Sequence, residues 1–487
     1  MKAPRMDITY LVAPLLLIAV VLASVWLDRW SVPVILVALA AGILFGSDVL
    51  NLWYFSDVHL ANQVSNMALV FILFQGGFAT RRDSLRLVAL PAIGMATWGV
   101  VLTALATFLV LWGVLGWAYQ LAALIAVIIS STDAAATFSI LRRQSLPPRL
   151  ASTVEVESAA NDPMAILLTL VAVEAFASGQ SGGWTIVPAF LWKFAAGPLI
   201  GWLVARGSLA LFNWLQPQDR GHYYVLFVGI VLLTYGLAEV SQASGMLAVF
   251  TVGYLLGNNA FIYKQGIANF SSALSTVANI AMFVVLGLLV FPHQWGSIWF
   301  DGVILFLVLT LVARPFAVWL GTVRMGFNNR EKAFLSWSGL RGAVPVVLAT
   351  YPMARGMEIG QEVFNLVFFA VILSVSVQGS TLGWLARLLR LAAPAKPSPC
   401  YSLELMTMSH SDLDLIVVDM PGPAGNPGPL IQDLRLPPGA VIAMIARGPE
   451  IVSPRGNTQL RGWDQITVLA HARDEHAVRS ALLGSST

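Results

Sequence analysis

VEVESAANDP, residues 154–163, lies within a hydrophobic run over 150–177. The run predicts a helix. On it Ser158 and Asp162 fall at i and i+4 on one face, with Glu155 on the same stripe seven residues before Asp162. Glu157 and Asn161 form a neighbouring pair. Pro163 cannot donate a backbone hydrogen bond, which frees a carbonyl one turn earlier. One face thus offers a carboxylate, a hydroxyl and a bare carbonyl, oxygen donors of the kind that hold Na⁺ or K⁺. Interhelical hydrogen bonding is the plainer alternative, and it weighs more for Glu155 than for Asp162.

Carboxylates are costly in such a run because the rest of the chain demands lipid. Of 487 residues, 57% are hydrophobic and 11% charged, against ~45–50% and ~25% in a typical globular domain. A soluble core of this size cannot hide that apolar surface, whereas a bilayer can. Helices are expected near 8–27, 32–49, 60–79, 86–113, 119–141, 150–177, 185–212, 222–240, 245–257, 272–291, 299–321, 331–350 and 361–389, about 13 spans. The first run follows Lys2 and Arg5 as a signal peptide would, but its length and the closing Asp28-Arg29 predict a retained helix. Basic residues collect in alternate connections: Arg81, Arg82 and Arg86; Arg142, Arg143 and Arg149; Arg220; Lys264; Arg324, Arg330 and Lys332. The positive-inside rule puts these connections in the cytoplasm of a cell (plasma) membrane protein, with the N-terminus outside and the C-terminus inside. The net charge of +3 is too small to argue for nucleic acid. The single cysteine, Cys400, and six scattered histidines give no metal or redox motif. Transport is expected rather than enzymatic catalysis, with no cofactor.

Two further stretches carry polar groups where lipid forbids them. ISSTDAAATF, residues 129–138, puts Thr132 and Asp133 midway along the fifth helix. The helix can unwind there, leaving half-helix ends whose partial charges an aspartate offsets. Alternatively, Ser130, Ser131 and Thr132 bond back to their own carbonyls in an unbroken helix. WSGLRGAVP, residues 337–345, breaks a hydrophobic helix at Gly339, Gly342 and Pro345, with Arg341 at the break. A buried guanidinium needs a carboxylate, and Glu157 or Glu155 is the expected partner. No further basic residue is read at the midplane. Both breaks fall in the fifth helix of their half of the chain, the pattern of an inverted-repeat transporter.

Ser131-Thr132-Asp133-Ala134, Glu157-Ser158 with Asn161-Asp162-Pro163, and Gly339-Leu340-Arg341-Gly342-Ala343-Val344, in this order, resemble the cation:proton antiporter superfamily and its NhaP-type exchangers. The resemblance covers nearly all of residues 8–390, and GMLAVFTVGYLLGN, residues 245–258, looks like the family's ninth helix. It implies an all-α polytopic membrane protein with inverted repeats and two broken, crossing helices. It implies that Asp162 is the shared ligand of cation and proton. Ser158 and the Thr132 carbonyl would complete the cation shell, with Asp133 and Asn161 in support. Glu157 would pair with Arg341. Asn161 before the key aspartate resembles the electroneutral branch, one proton per cation, and a homodimer is implied. Gln75 stands in FILFQGGFATRRD, where many relatives carry an acid, so Gln75 and Glu155 are accessory candidates.

The composition changes at LAAPAKPSPC, residues 391–400. The expected division is a transmembrane antiporter domain over 1–392, a stiff linker over 393–402 and a small α+β cytoplasmic domain over 403–487. Strands are expected at 415–419, 441–446 and 465–469, and a helix at 475–483. LRLPPGAVIAMIARGPEIVSPRGNTQLRGWDQITVLA, residues 434–470, resembles TrkA-C modules. That implies pairing with a second copy and a regulatory nucleotide or small ligand. The rival functions are a cation channel, suggested by Thr251-Val252-Gly253-Tyr254, and a transport-inactive receptor.

Overall fold

A computed structural model describes residues 6–27, 32–46, 48–50, 53, 55, 57–82, 94–133, 137, 144–177, 186–215, 219, 221–323, 325–391, 393–394, 413–421, 425–471 and 474–483. Its helices are α1 (Met6–Leu27), α2 (Val34–Phe45), α3 (Val58–Ala79), α4 (Met95–Val114), α5 (Tyr119–Ile128), α6 (Pro148–Ala177), α7 (Ile186–Trp214), α8 (Gly221–Val240), α9 (Gly245–Gly257), α10 (Lys264–Leu288), α11 (Trp295–Gly321), α12 (Asn329–Trp337), α13 (Ala343–Ala354) and α14 (Gly360–Leu388). Among the described residues, eight of these are long and apolar enough to cross a membrane, namely α3, α4, α6, α7, α8, α10, α11 and α14. Five shorter apolar helices accompany them: α2, α5, α9, α13 and α1 over Ala13–Leu27. Leu22, Val25, Trp98, Trp192, Val225 and Leu311 are exposed, an outer surface fit for lipid rather than water.

The helices begin where side chains satisfy their first amides. Asp57 accepts from Leu60 N, Ser244 from Leu247 N, and Asn328 with Glu331 forms a capping box at α12. Glycines then let helices approach backbone to backbone. A Cβ on Gly77 would stand 2.3 Å from Phe250 O, one on Gly253 2.3 Å from Phe74 O, and one on Gly257 2.1 Å from Phe78 O. The result is a tight α3–α9 pair. Gly42 and Gly287 bring α2 and α10 together in the same way. Gly253 therefore serves packing inside a continuous helix, which removes the filter reading of residues 251–254.

Two expected helices are interrupted. The one predicted over 119–141 ends at Ile128, and residues 131–133 are non-helical. The one predicted over 331–350 divides into α12 and α13, joined by a non-helical turn at 339–342. The helix expected over 86–113 is seen from residue 94, and residues 83–93 lie outside the described part. Three helices widen into π turns: α4 at Met95–Gly99 and Leu109–Val114, α11 at Leu309–Ala313 and α14 at Ser374–Gln378.

The chain divides into two compact units, one holding residues 394–487 with 210–223 and 261–267. The C-terminal strands are β1 (Leu413–Asp419), β2 (Pro427–Leu430), β3 (Val441–Arg447), β4 (Glu450–Val452), β5 (Gln459–Arg461) and β6 (Gln465–His471), followed by α15 (Glu475–Leu483). Antiparallel pairing gives the order β1-β6-β3-β4, with Leu415 opposite Leu469 and Ile442 opposite Val468; β2 pairs separately with β5. Ile416, Val418, Ile445, Ile466 and Val468 pack against Val478 and Leu482. Gly439, at φ +85°, closes the Pro437–Ala440 turn that feeds β3. Arg447 Nε and Nη2 reach the buried Asp464 carboxylate at 2.8 and 2.7 Å, and these bonds hold the guanidinium pKa above its ordinary value. The three short strands β2, β4 and β5 were not expected, and most of the linker, residues 395–402, lies outside the described part.

Candidate functional site

The two interruptions cross. Asp133 N donates to Leu340 O at 2.8 Å, a backbone bond between the unwound stretches. Thr137 Oγ1 lies 2.9 Å from Asp133 O and 3.1 Å from Ser338 O, so its proton is shared between them. Each half-helix end then meets the opposite charge. The carbonyls of Ser130 and Ser131, beyond the C-terminus of α5, accept from Arg341 Nη1. The Asp133 carboxylate sits against Gly342, the N-cap of α13: a Cβ there would stand 1.7 Å from Asp133 Oδ2. A positive group thus faces the negative dipole end, and a negative group the positive end. Only glycine at 342 leaves room for the carboxylate.

Helix α6 closes the site from the side. Thr132 Oγ1 is 2.9 Å from Ser158 Oγ and accepts from Asn161 Nδ2 at 2.7 Å, while Asn161 Oδ1 lies 3.4 Å from Thr132 N. Thr132, Ser158 and Asn161 are buried. One turn beyond Ser158 is Asp162, partly accessible, with Ser131 and Asp133 as its polar neighbours. The helical spacing of 158, 161 and 162 therefore brings together the residues expected to act together. Oxygen atoms from two elements converge beside a carboxylate, an arrangement able to hold a small cation or a proton.

The expected Glu157–Arg341 pair is not the one that forms. Glu157 Oε1 meets Arg314 Nη1 at 2.6 Å, with both side chains buried. Arg341, fully buried, is instead committed to the carbonyls of 130 and 131, and its amide donates to Ser374 Oγ at 3.1 Å. The reason lies in α11. The π turn Leu309–Ala313 ends at Arg314-Pro315, where the missing proline N–H is accommodated by a widened turn. Gly339 makes the space: a Cβ there would stand 2.4 Å from Arg314 Nε. Arg314 is thus a second buried basic residue, contrary to the expectation that Arg341 stands alone. Its signal was present as an arginine deep in the hydrophobic run 299–321. The π turn of α14 supplies the remaining support, since Ser374 bonds Gln378 Oε1 and Gln378 Nε2 donates to Trp337 O at 3.2 Å.

The accessory candidates stand apart. Gln75 Oε1 is buried without a hydrogen-bond partner on α3, and Glu155 is half-buried on α6 with Arg81 as its charged neighbour. Among the described residues, no hydrogen bond joins either to the Thr132 cluster.

Residues 15–388 match the family described as sodium/hydrogen exchanger, transmembrane. The K(+)/H(+) antiporter NhaP2 of Shewanella oneidensis is 36% identical over 490 residues, covering 98% of this chain and 84% of the relative. The K(+)/H(+) antiporter NhaP of Alkalimonas amylolytica is 31% identical over 99% of this chain and 84% of its own. The solved sodium proton antiporter MjNhaP1 of Methanocaldococcus jannaschii superposes with a TM-score of 0.68 at 24% identity, over 78% of this chain and 99% of that one. At that identity the superposition speaks for the fold.

Proposed function

The chain belongs to the transmembrane sodium/hydrogen exchanger family, and from that premise we infer that it is a secondary antiporter exchanging K⁺ or Na⁺ for H⁺ at Asp162. The supporting observation is the charge balance at the crossing. Asp133, Glu157 and Asp162 are its carboxylates, and Arg314 and Arg341 its guanidinium groups. Glu157 is held by Arg314, and Asp133 and Arg341 face opposite helix ends. One negative charge is left over, and it belongs to Asp162. A proton or a monovalent cation neutralises it; the empty site carries an unpaired charge that is costly to move through a low-dielectric barrier. Either ion thus completes a mobile unit, and neither can bind while the other occupies the carboxylate.

Thr132 and Ser158 lend oxygens to the cation, and Asn161 holds Thr132 in place. The relatives matched over nearly the whole chain are named for K⁺, which favours K⁺ over Na⁺. The basic connections put the Arg81 end of α3 in the cytoplasm, with the N-terminus outside. The C-terminal module is read as regulatory, responding to a nucleotide or other small ligand, and the working form as a homodimer.

Proteoliposomes loaded with a pH-sensitive dye and titrated separately with K⁺, Na⁺ and Li⁺ test this reading. Asp162→Asn should abolish exchange while the protein still inserts and folds; retained exchange by that variant overturns it. Competition also fixes a sign. On the acid side of the site's titration, each pH unit of acidification should raise the apparent KM for the cation by about tenfold. Exchange of one proton per cation should be indifferent to a clamped membrane potential.

A further inference from the structure

Helix α3 touches its neighbours in two ways. Against α9 it lies backbone to backbone at Gly77, Gly253 and Gly257. Against α13 it is joined by side chains. Tyr351 OH donates to Asn66 Oδ1, Asn66 Nδ2 donates to Asn62 Oδ1 at 2.9 Å, and Asn62 Nδ2 donates to Thr350 Oγ1 at 2.8 Å. Thr350 Oγ1 passes its own proton to Val347 O at 2.7 Å. Every donor in this row points the same way, so each link is satisfied and the row ends on a backbone carbonyl.

The far end of α13 is Gly342, against the Asp133 carboxylate, so Thr350 and Tyr351 sit on the helix whose N-cap abuts the ion site. Neutral hydrogen bonds can be traded for water at small net cost. The glycine contacts of α3 with α9 cannot part without opening a void. Of the two contacts, the one with α13 is built to come apart. At the opposite end of α3, Arg81 and Glu155 of α6 feel each other's charge, yet no ion-pair contact joins them. One end of the α3 contact is fastened and the other is not.

The geometry points to a gate: Asn62 and Asn66 on α3 with Thr350 and Tyr351 on α13 form a side-chain clasp that shuts the Asn62 end of the ion path and parts when the site opens there. This rests on the exchange reading above and adds to it the residues that close one face.

The test uses the full chain with Cys400→Ser, Asn62→Cys and Thr350→Cys, joined by a short, reducible bis-thiosulfonate linker. Cross-linking should lower exchange in proteoliposomes by about tenfold or more, with recovery on reduction. Cation-driven proton release by the cross-linked protein in detergent should persist, because the other face stays open. Exchange at the uncross-linked rate overturns the clasp, and so does loss of proton release with the linker in place. Absence of both signals before cross-linking would instead count against the exchange reading. A second measurement needs no linker. In Cys400→Ser with Thr350→Cys, adding Tyr351→Phe should speed alkylation of the cysteine several-fold; an unchanged rate overturns the clasp.

Discussion

Glycines do opposite work at the α3–α9 contact and at the crossing of the broken helices. At Gly77, Gly253 and Gly257 the missing side chain admits another helix's backbone. At Gly339 and Gly342 it admits a charged side chain, the Arg314 guanidinium and the Asp133 carboxylate respectively. The first use makes a joint that resists parting. The second makes a polar cavity inside an apolar protein, which lipid-facing helices otherwise exclude. A glycine pattern alone therefore does not tell scaffold from site; the group that fills the space does.

Substitutions can break or sharpen this contrast. Gly342→Ala should have the largest effect, because its Cβ cannot coexist with the carboxylate 1.7 Å away. Displacing a site group by about 1 Å costs on the order of 100-fold in rate, so exchange should nearly vanish while expression holds. Normal exchange would erase the distinction. Glu157→Ala comes next, since it strands the buried Arg314. The expected loss is about 3–5 kcal/mol, read from thermal unfolding in detergent, and Glu157→Leu with Arg314→Met should recover much of it. Gly257→Ala should act differently again, with its Cβ 2.1 Å from Phe78 O. Here about 1–3 kcal/mol of stability should go, with exchange per folded molecule kept. Loss of exchange without loss of stability would mean that the joint moves.

The smallest effect is expected at an exposed link belonging to neither region. Asp48 accepts from His293 N at 2.9 Å and faces its ring at 2.8 Å, and these bonds hold the carboxyl below its usual pKa. A lowered value stabilises the fold above the unfolded pKa, about 3.9, and is lost as pH falls through the folded one. Protection factors of amides around residue 293, corrected for the intrinsic pH dependence of exchange, should therefore stay unchanged across neutral and mildly acidic pH and fall only below that range.

Much of this was legible in the chain. Hydropathy locates the helices, and polar residues at helical spacing on 154–163 mark Ser158, Asn161 and Asp162 as a group on one helix. What stayed hidden depends on three-dimensional choice. Glu157 had two buried arginines to choose from, and spacing along the chain could not say that Arg341 would turn to the carbonyls of 130 and 131. The π turns that aim Arg314 and Ser374 leave no clear composition signal. Strands β2, β4 and β5 are three or four residues long and lean on neighbours for their pairing, so no periodicity could build up.

The bond from Asp133 N to Leu340 O gives the molecule an internal clock. An amide tied to the opposite stretch can trade its hydrogen for deuterium only when the two stretches separate. If they travel together through the transport cycle, that one proton should be among the last to exchange, however fast ions are turning over. Added cation, at constant pH, would then leave its lifetime unaltered.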